Sequence, residues 1–112
     1  MIEVTVFNYL KKAMPDITVT MEIRQDMPDS YIFVEKVGSS MNDRLPSSRF
    51  AIQSYAPSLV EAIMLNERVK EVMEGLVAEP EITAVRLNSD YNYTDTVTKK
   101  PRYQAIFEVT HY

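Results

Sequence analysis

The fold is decided by the last quarter of the chain, which reads Ala84-Val-Arg-Leu-Asn-Ser-Asp-Tyr-Asn-Tyr-Thr-Asp-Thr-Val-Thr-Lys-Lys-Pro-Arg-Tyr-Gln-Ala-Ile-Phe-Glu-Val-Thr-His-Tyr112. From Tyr103 to His111 every second side chain is apolar or aromatic, while Gln104, Glu108 and Thr110 face the other way, and this period is typical of a half-buried β-strand. The residues before it predict a second long strand and a polar turn. A strand of about ten residues spans about 33 Å, which is long against a radius of gyration of about 13 Å. We therefore expect a β-hairpin whose tip, residues 94–100, projects from the domain.

Three further strands are predicted upstream, at residues 17–24, 31–37 and 49–56. The first is the clearest, because apolar residues alternate with polar ones from Ile17 to Ile23. Residues 38–48 are rich in Gly, Ser, Asn, Asp and Pro, a composition typical of a loop. Together these stretches predict a meander of antiparallel strands.

Two helices are predicted. Residues 5–14 have apolar side chains at helical spacing and two lysines in the last turn, although the β-branched opening leaves a strand start possible. The main helix begins after Ser58, because Ser58 followed by Glu61 matches a capping box. Its apolar stripe, expected to cover the sheet, consists of Leu59, Ala62, Leu65, Val69, Val72, Met73 and Leu76. The prediction is an α+β fold: an antiparallel sheet with one long amphipathic helix packed on a face, a short N-terminal helix and a long C-terminal β-hairpin.

Length and composition limit the class of protein. The 112 residues, 46% hydrophobic and 25% charged, fit a single globular domain, residues 1–112. The formal net charge of −4 argues against specific nucleic-acid binding, which needs clustered Lys and Arg. Cysteine is absent, which excludes disulfides and thiolate metal sites. Because no basic leader or long apolar run is found, we expect a soluble, non-secreted chain without membrane contact.

The sequence contains no clear motif for catalysis or cofactor binding. Its two glycines, Gly38 and Gly75, cannot form a glycine-rich phosphate loop or a dinucleotide fingerprint. His111 is the only histidine and continues the apolar row of the last strand, so a structural or interface role is favoured over catalysis. We therefore expect no catalytic residue and no cofactor.

Two pairs of carboxylates lie in predicted turns, and the second, Asp90 with Asp95, could in principle form an acid/base or hard-cation pair. Asp26 and Asp29 flank a predicted turn, and Asp90 and Asp95 bracket two tyrosines of the hairpin. Hydrogen bonding within loops is the favoured role of both pairs, because their spacing matches no known calcium loop. We expect no metal site.

Methionine and tyrosine, seven of each, are the more informative residue types. Methionine usually fills gaps in a core, so Met21, Met64 and Met73 are interpreted as core residues. The tyrosines of the hairpin fit two interpretations equally, a contact surface between subunits or ordinary cross-strand pairing. They are Tyr91, Tyr93, Tyr103 and Tyr112.

The first half of the main helix is apolar nearly all round. Val60 and Met64 lie opposite the core stripe, with Ile63 at its boundary. A helix that is apolar on every side is covered on every side. The cover is either the first helix or another subunit, and the second is favoured.

Three segments of the chain carry a resemblance. They are Met1-Ile-Glu-Val-Thr-Val-Phe-Asn-Tyr-Leu-Lys11, then Phe50-Ala-Ile-Gln-Ser-Tyr-Ala56 running into Leu59-Val-Glu-Ala62 and Leu65-Asn-Glu-Arg-Val-Lys-Glu-Val-Met73, and finally Leu87-Asn-Ser-Asp-Tyr-Asn-Tyr-Thr-Asp-Thr96 with Arg102-Tyr-Gln-Ala-Ile-Phe-Glu-Val-Thr-His-Tyr112. This pattern resembles small tail proteins of siphophages and prophages of Gram-positive bacteria, nearest to the tail terminator family, also called tail completion or tail-to-head joining proteins. The similarity covers nearly the whole chain.

The resemblance implies a structural virion protein without a cofactor. Such a protein forms a ring, expected to be a hexamer, at the head-proximal end of the tail tube, where it ends tail polymerisation and provides the docking surface for the head connector. Its partners would be further copies of itself, the tail tube protein and head connector proteins, first in the bacterial host cytoplasm and then in the virion tail. A connector or neck protein of the same phage module and a small monomeric adaptor are the alternatives. A small hydrolase or isomerase is a rival class.

Two sets of contact residues follow as hypotheses. The subunit interface would consist of Val60, Ile63, Met64, Tyr91, Tyr93, Tyr103 and Tyr112. Docking to tail or head would use two loops, with residues Ser39, Ser40, Met41, Asn42, Asp43 and Arg44 in one and Thr96, Val97, Thr98, Lys99 and Lys100 in the other.

Overall fold

Two α-helices and five strands make up the chain in the computed structural model, which describes residues 1–112 apart from the side chain of Asn42. In chain order they are α1 (Ile2–Ala13), β1 (Thr18–Thr20), β2 (Tyr31–Asn42), β3 (Leu45–Tyr55), α2 (Leu59–Glu74), β4 (Ile82–Asn92) and β5 (Arg102–His111), with a short 3-10 turn, Gly75–Ala78, after α2. The strands form one sheet in the order β1-β2-β3-β5-β4. The predicted α+β class is therefore confirmed.

The first strand departs from the predicted antiparallel meander. Only Thr18–Thr20 is extended, and it pairs parallel to β2. The strand ends because the Thr20 hydroxyl donates to the Glu22 carbonyl at 2.6 Å and accepts from the Glu22 N–H at 3.1 Å, a local turn that competes with strand pairing. Met21 and Ile23 are consequently exposed, so the prediction of a strand over residues 17–24 is wrong beyond Thr20.

A second correction concerns residues 38–48, which form a regular β-hairpin and not a loop. Residues 38–42 pair with 45–49 in an unbroken antiparallel register, after a bulge at Val37. The turn consists of Asp43 and Arg44, both with positive φ, 49° and 69°, the backbone that a two-residue hairpin turn requires. The prediction of a loop from composition fails here because serine and glycine are tolerated in a strand that its neighbour holds in register.

Both helices pack on the same face of the sheet. Tyr9 of α1 donates its hydroxyl to the Val72 carbonyl of α2 at 2.6 Å. The core between helices and sheet consists of Val6, Leu10, Met14, Val19, Ile32, Val34, Phe50, Ile52, Leu65, Val69, Met73, Leu76, Ile82, Ala105, Phe107 and Val109. Burial of this much apolar surface is the main stabilising contribution to the fold.

The start of α2 agrees with the predicted cap. Ser58 accepts from the Glu61 N–H at 3.2 Å, and its hydroxyl donates to the Glu61 carboxylate at 2.9 Å. Of the predicted stripe, Ala62, Leu65, Val69, Met73 and Leu76 are buried and Val72 is partly buried, whereas Leu59 is 39% exposed. The helix ends at Gly75, where a Cβ would lie 2.5 Å from the Tyr9 hydroxyl. Glycine at this position therefore allows α1 to approach α2.

The C-terminal hairpin, β4 with β5, lies where the sequence places it. The row of β5 from Ala105 to His111 is buried on the helix side, and Tyr103 is half-buried. In the connecting tip, residues 96–100 are exposed, and residues 98–101 line a cavity of about 280 Å³ together with residues 27–29 and Pro57.

We predict that Arg44→Gly raises the free energy of unfolding by about 0.5–1 kcal/mol, because glycine adopts positive φ without the clash that an L side chain suffers. Arg44→Val should lower it. Chemical denaturation of the three proteins measures both changes, and a destabilised glycine variant would contradict the assigned turn.

Candidate interaction surfaces

The outer side of α2 carries an exposed apolar surface at its N-terminal end. Leu59, Val60, Ile63 and Met64, here called the helix patch, are 39%, 66%, 36% and 65% exposed. The predicted position of Val60 and Met64 opposite the core stripe, with Ile63 at its boundary, is thus confirmed. A shallow depression of about 300 Å³, lined largely by apolar atoms, lies beside the patch and includes Met64. Single apolar side chains on a protein surface are common, whereas a contiguous exposed group of them typically marks a contact site.

The same side of α2 becomes acidic toward its C-terminus. Glu67, Glu71 and Glu74 are exposed and follow Val60 and Met64 at helical spacing. One helix surface therefore presents an apolar half and a negatively charged half. A partner that covers both halves needs apolar and basic groups in that order.

The three methionines interpreted as core residues have different environments. Met73 is fully buried, whereas Met64 is 65% and Met21 38% exposed. The core assignment is wrong for Met64 and Met21. Met64 is turned away from the sheet by its position on the helix, and Met21 follows the early end of β1.

The four hairpin tyrosines do not form one surface. Tyr91 and Tyr93 lie together, with ring centroids 6.0 Å apart in an edge-to-face contact, and are 40% and 41% exposed. Tyr103 lies in register with Ser54 and Asn92 on the helix side of the sheet, and Tyr112, 75% exposed, is at the other end of β5. A single tyrosine interface is therefore limited to Tyr91 and Tyr93.

The sheet face opposite the helices carries a polar and aromatic network that the sequence analysis missed. Gln53 donates to Gln104 at 2.9 Å, Gln104 donates to the Tyr91 hydroxyl at 2.6 Å, and the Tyr55 hydroxyl donates to Gln53 at 2.9 Å. These bonds join three strands across the face. The sequence hint of this network is that Gln53 alternates with Tyr55 and Gln104 follows Arg102 by two residues. These positions place each pair on one face of its strand, but only the strand register brings the two pairs together.

One end of this network is aromatic and cationic. The Tyr31 and Tyr55 rings are stacked at 4.4 Å, and Arg102 donates to the Tyr55 hydroxyl at 2.9 Å while its guanidinium lies 4.5 Å from the Tyr93 ring centroid. Burial, with a smaller contribution from Tyr55, raises the pKa of Tyr31 to about 12. The Arg102 side chain is thus engaged with these tyrosines.

The other end of the open face is charged. Glu108 accepts from Arg49 at 3.0 Å and also pairs with Arg86. The hydrogen bonds from Arg86 and Arg49 hold the pKa of Glu108 below its ordinary value. Two cavities of about 510 and 250 Å³ adjoin this triad, and Ser40 and Ser47 line both.

The predicted docking residues of the β2–β3 hairpin are placed at its far end. Ser39, Ser40, Met41, Asp43 and Arg44 are exposed, Met41 to 68%. The side chain of Asn42 lies outside the part of the chain that the structure describes. These residues belong to strands and a tight turn, so they are held in place and do not form an adaptable loop.

The second set of docking residues is held by Asp95. Its carboxylate accepts from the Val97 and Thr98 N–H groups at 2.8 and 3.3 Å, and these bonds lower its pKa. Lys99 has a positive φ of 61°. Thr96, Val97, Thr98, Lys99 and Lys100 are all exposed, Val97 to 85%. The expected loop-capping role is confirmed for Asp95, whereas Asp90 lies in β4 and bonds Asn66 and Lys70 of α2, each at 2.9 Å.

His111 is paired with Ser48, a residue the sequence analysis did not single out. Ser48 Oγ lies 3.0 Å from His111 Nε2, and His111 Nδ1 lies 3.0 Å from the Tyr112 carbonyl oxygen. An imidazole that donates from Nδ1 and accepts the serine proton at Nε2 satisfies both contacts. Such a pair can activate a serine, but Ser48 and His111 are only 3% and 9% exposed, which favours a structural role.

The described residues provide no cluster of three or more His, Cys, Asp and Glu side chains placed to hold a metal ion. In that part of the chain, no helix has the length and apolar character needed to cross a membrane. No protein-family model matches the chain, and a search of curated proteins gives no match.

We predict that two methionine truncations differ strongly in their effect on stability. Met73→Ala should lower the free energy of unfolding by about 2–5 kcal/mol, because it leaves a cavity in the core. Met64→Ala should change it by less than about 0.5 kcal/mol, because the side chain is in water. Denaturant titration at low protein concentration compares them, and a large loss in Met64→Ala would place this residue in the core.

We also predict a pH dependence that comes from Glu108. Since its folded-state pKa is lowered, its stabilising contribution is present above the ordinary carboxyl value of 4.5 and is lost as the pH falls through the folded-state pKa. Glu108→Gln should flatten this part of the stability profile. In an Arg49→Ala, Arg86→Ala background the same substitution should have no such effect, and an unchanged wild-type profile in Glu108→Gln would refute the assignment.

Proposed function

We propose that the chain is a structural virion protein that forms a hexameric ring at the head-proximal end of a phage tail tube. There it ends tail polymerisation and provides the docking surface for the head connector. The resemblance of the three quoted sequence segments to tail terminators motivates this role, and the α+β architecture is compatible with it. Before docking, the protein is located in the cytoplasm of the bacterial host.

The single observation that carries the proposal is the helix patch. Val60 and Met64 each leave about two thirds of their side chains in water, at 66% and 65%. Ala62 and Leu65, on the other side of the same turns, are already buried against the sheet. The monomer thus uses one side of this helix for its core and leaves the other apolar side uncovered. Contact with another copy would remove this surface from water.

A ring imposes a further requirement. Because a cyclic assembly larger than a dimer uses two different surfaces of each subunit, the helix patch must meet another part of its neighbour. Tyr91 and Tyr93 form an exposed aromatic pair on β4 and the segment after it, and this pair is the second surface in the proposal. Tyrosine suits such a role because it provides a large contact area with few rotatable bonds.

The charge of the chain fits passage of DNA through the ring. With a net charge of −4, the subunits repel a phosphate backbone and do not retain it. In this role the chain has no cofactor and performs no catalysis. The burial of the Ser48–His111 pair supports that view, because a substrate could not reach the serine hydroxyl.

The experiment that tests the proposal is the native mass of the purified protein, alone and with the tail-tube protein encoded in the same genome. We expect a ring in at least the second sample, bound to the end of the tube. A chain that stays monomeric in both samples is a small adaptor, and the ring proposal fails.

We predict that Val60→Asp and Met64→Asp abolish the oligomer and leave the monomer folded, because a charge in a dry contact is costly whereas the same charge in water is tolerated. Val77→Asp is the matched control, since Val77 is 50% exposed and lies outside the helix patch. Native mass and circular dichroism provide the two readouts. Unfolding of Met64→Asp, or loss of the oligomer in the control, would contradict the assigned interface.

Deleting residues 96–99 should impair docking and leave the oligomer intact, the reverse of the helix-patch substitutions. The deleted residues are exposed, so the fold and the ring should persist, while binding to the tail tube or head connector weakens. Cosedimentation with tail tubes measures the loss. A deletion variant that still docks like the wild type would remove the tip from the docking surface.

A further inference from the structure

Strand β2 has an outer edge that is largely unpaired. β1 covers only residues Tyr31, Ile32 and Phe33 of β2. In the part of the chain that the structure describes, no strand pairs with the outer side of residues 34–41. Every residue from 35 to 41 is exposed. Backbone N–H and C=O groups along this edge are therefore available to another chain.

The edge beyond the bulge is regular and unprotected. Residues 38–41 keep an unbroken register with β3, and their sequence is Gly-Ser-Ser-Met, without charge or proline. Proteins commonly protect free edges with charged side chains, prolines or bulges. Gly38, Ser39 and Ser40 have side chains too small to shield the backbone beside them.

The opposite outer edge of the sheet, at β4, has an irregular register and an exposed charge. Its register is interrupted twice, between Ile82 and Ala84 and between Leu87 and Ser89. Arg86, with 76% of its side chain exposed, lies between the two interruptions. Bulges and charges of this kind prevent pairing with another strand. Of the two long described edges, only the one at residues 38–41 suits the addition of a strand.

The two cavities on the open face lie beside this edge. Ser40 and Glu108 line both of them; Arg86 lines the larger cavity, and Gly38 and Arg49 line the smaller one. Two guanidinium groups against one carboxylate leave a local charge of +1 by formal count. Side chains of a strand added at this edge would alternate in direction, so those on the open face would meet this positive site. An acidic side chain fits it best.

We infer that residues 38–41 dock the tail-tube protein by β-strand addition: an extended segment of that partner, with an acidic residue on the open face, joins the sheet beside β2. This inference rests on the proposed function. It changes the mode of docking from side-chain contacts of an adaptable loop to backbone hydrogen bonds on a strand that is already ordered. Pre-ordering lowers the entropy lost on binding.

Proline substitution tests the inference, because it removes one backbone N–H. Successive N–H groups of a strand point to opposite sides, so one of Ser39 and Ser40 donates toward β3 and the other toward the free edge. Ser39→Pro and Ser40→Pro are compared with Ser39→Ala and Ser40→Ala, which keep the N–H. The proline that keeps the wild-type melting temperature is the one at the free edge. That variant should bind purified tail-tube protein about tenfold more weakly than its alanine control.

Hydrogen exchange provides a readout that does not depend on a variant's folding. In the wild-type complex with tail-tube protein, amide exchange at residues 38–41 should slow relative to the free ring. Unchanged exchange there, or wild-type binding by the folded proline variant, overturns the inference and leaves the proposed function standing. If amide exchange at residues 38–41 is already slow in the ring without tube protein, the edge takes part in contacts between copies, and the inference is overturned. If the wild-type protein does not bind tube protein at all, the proposed function itself fails, and the inference fails with it.

Discussion

The structure depends on one constraint: a five-stranded sheet has two faces, and both helices of this chain lie on the same one. The helix stripe of Val69, Met73 and Leu76 packs on Phe50 and Phe107, which pair across the central strands β3 and β5. That contact fixes the sheet, orients α1 through Tyr9 and turns the remaining apolar residues of α2 outward. The exposed helix patch is thus a consequence of how the core is built, because a helix cannot bury two opposite sides against one sheet.

The uncovered face of the sheet is stabilised by its own side chains. The stacked rings of Tyr31 and Tyr55 and the amides of Gln53 and Gln104 bury one another, and each amide uses donors and acceptors within the face. Satisfied polar groups of this kind make a rigid surface without an apolar core. At the other end, Glu108 is held between two arginines. Side-chain contacts therefore order both ends of this face. Such order favours binding of a partner through fixed strands over binding through adaptable loops.

Sequence patterns predicted what depends on neighbouring residues and failed where distant strands decide. The Ser58 cap, the alternation of β5 and the outward position of Val60 follow from local spacing, and all agree with the structure. The parallel pairing of β1 and the strand character of residues 38–48 depend on register with β2 and β3, which composition does not contain. For the same reason the sequence leaves open whether the hairpin tyrosines share one surface, and the register shows that Tyr103 and Tyr112 lie apart from Tyr91. The Ser48–His111 pair joins residues 63 positions apart in the sequence and left no local signal.

The central claim is that the chain ends the growth of a tail tube. Electron microscopy of particles made in a host that carries the phage without this gene tests it most directly. The account predicts tubes of uncontrolled length, separate from filled heads, with normal particles restored when the gene is supplied from a plasmid. Complete virions with tails of normal length in the absence of the gene would contradict it.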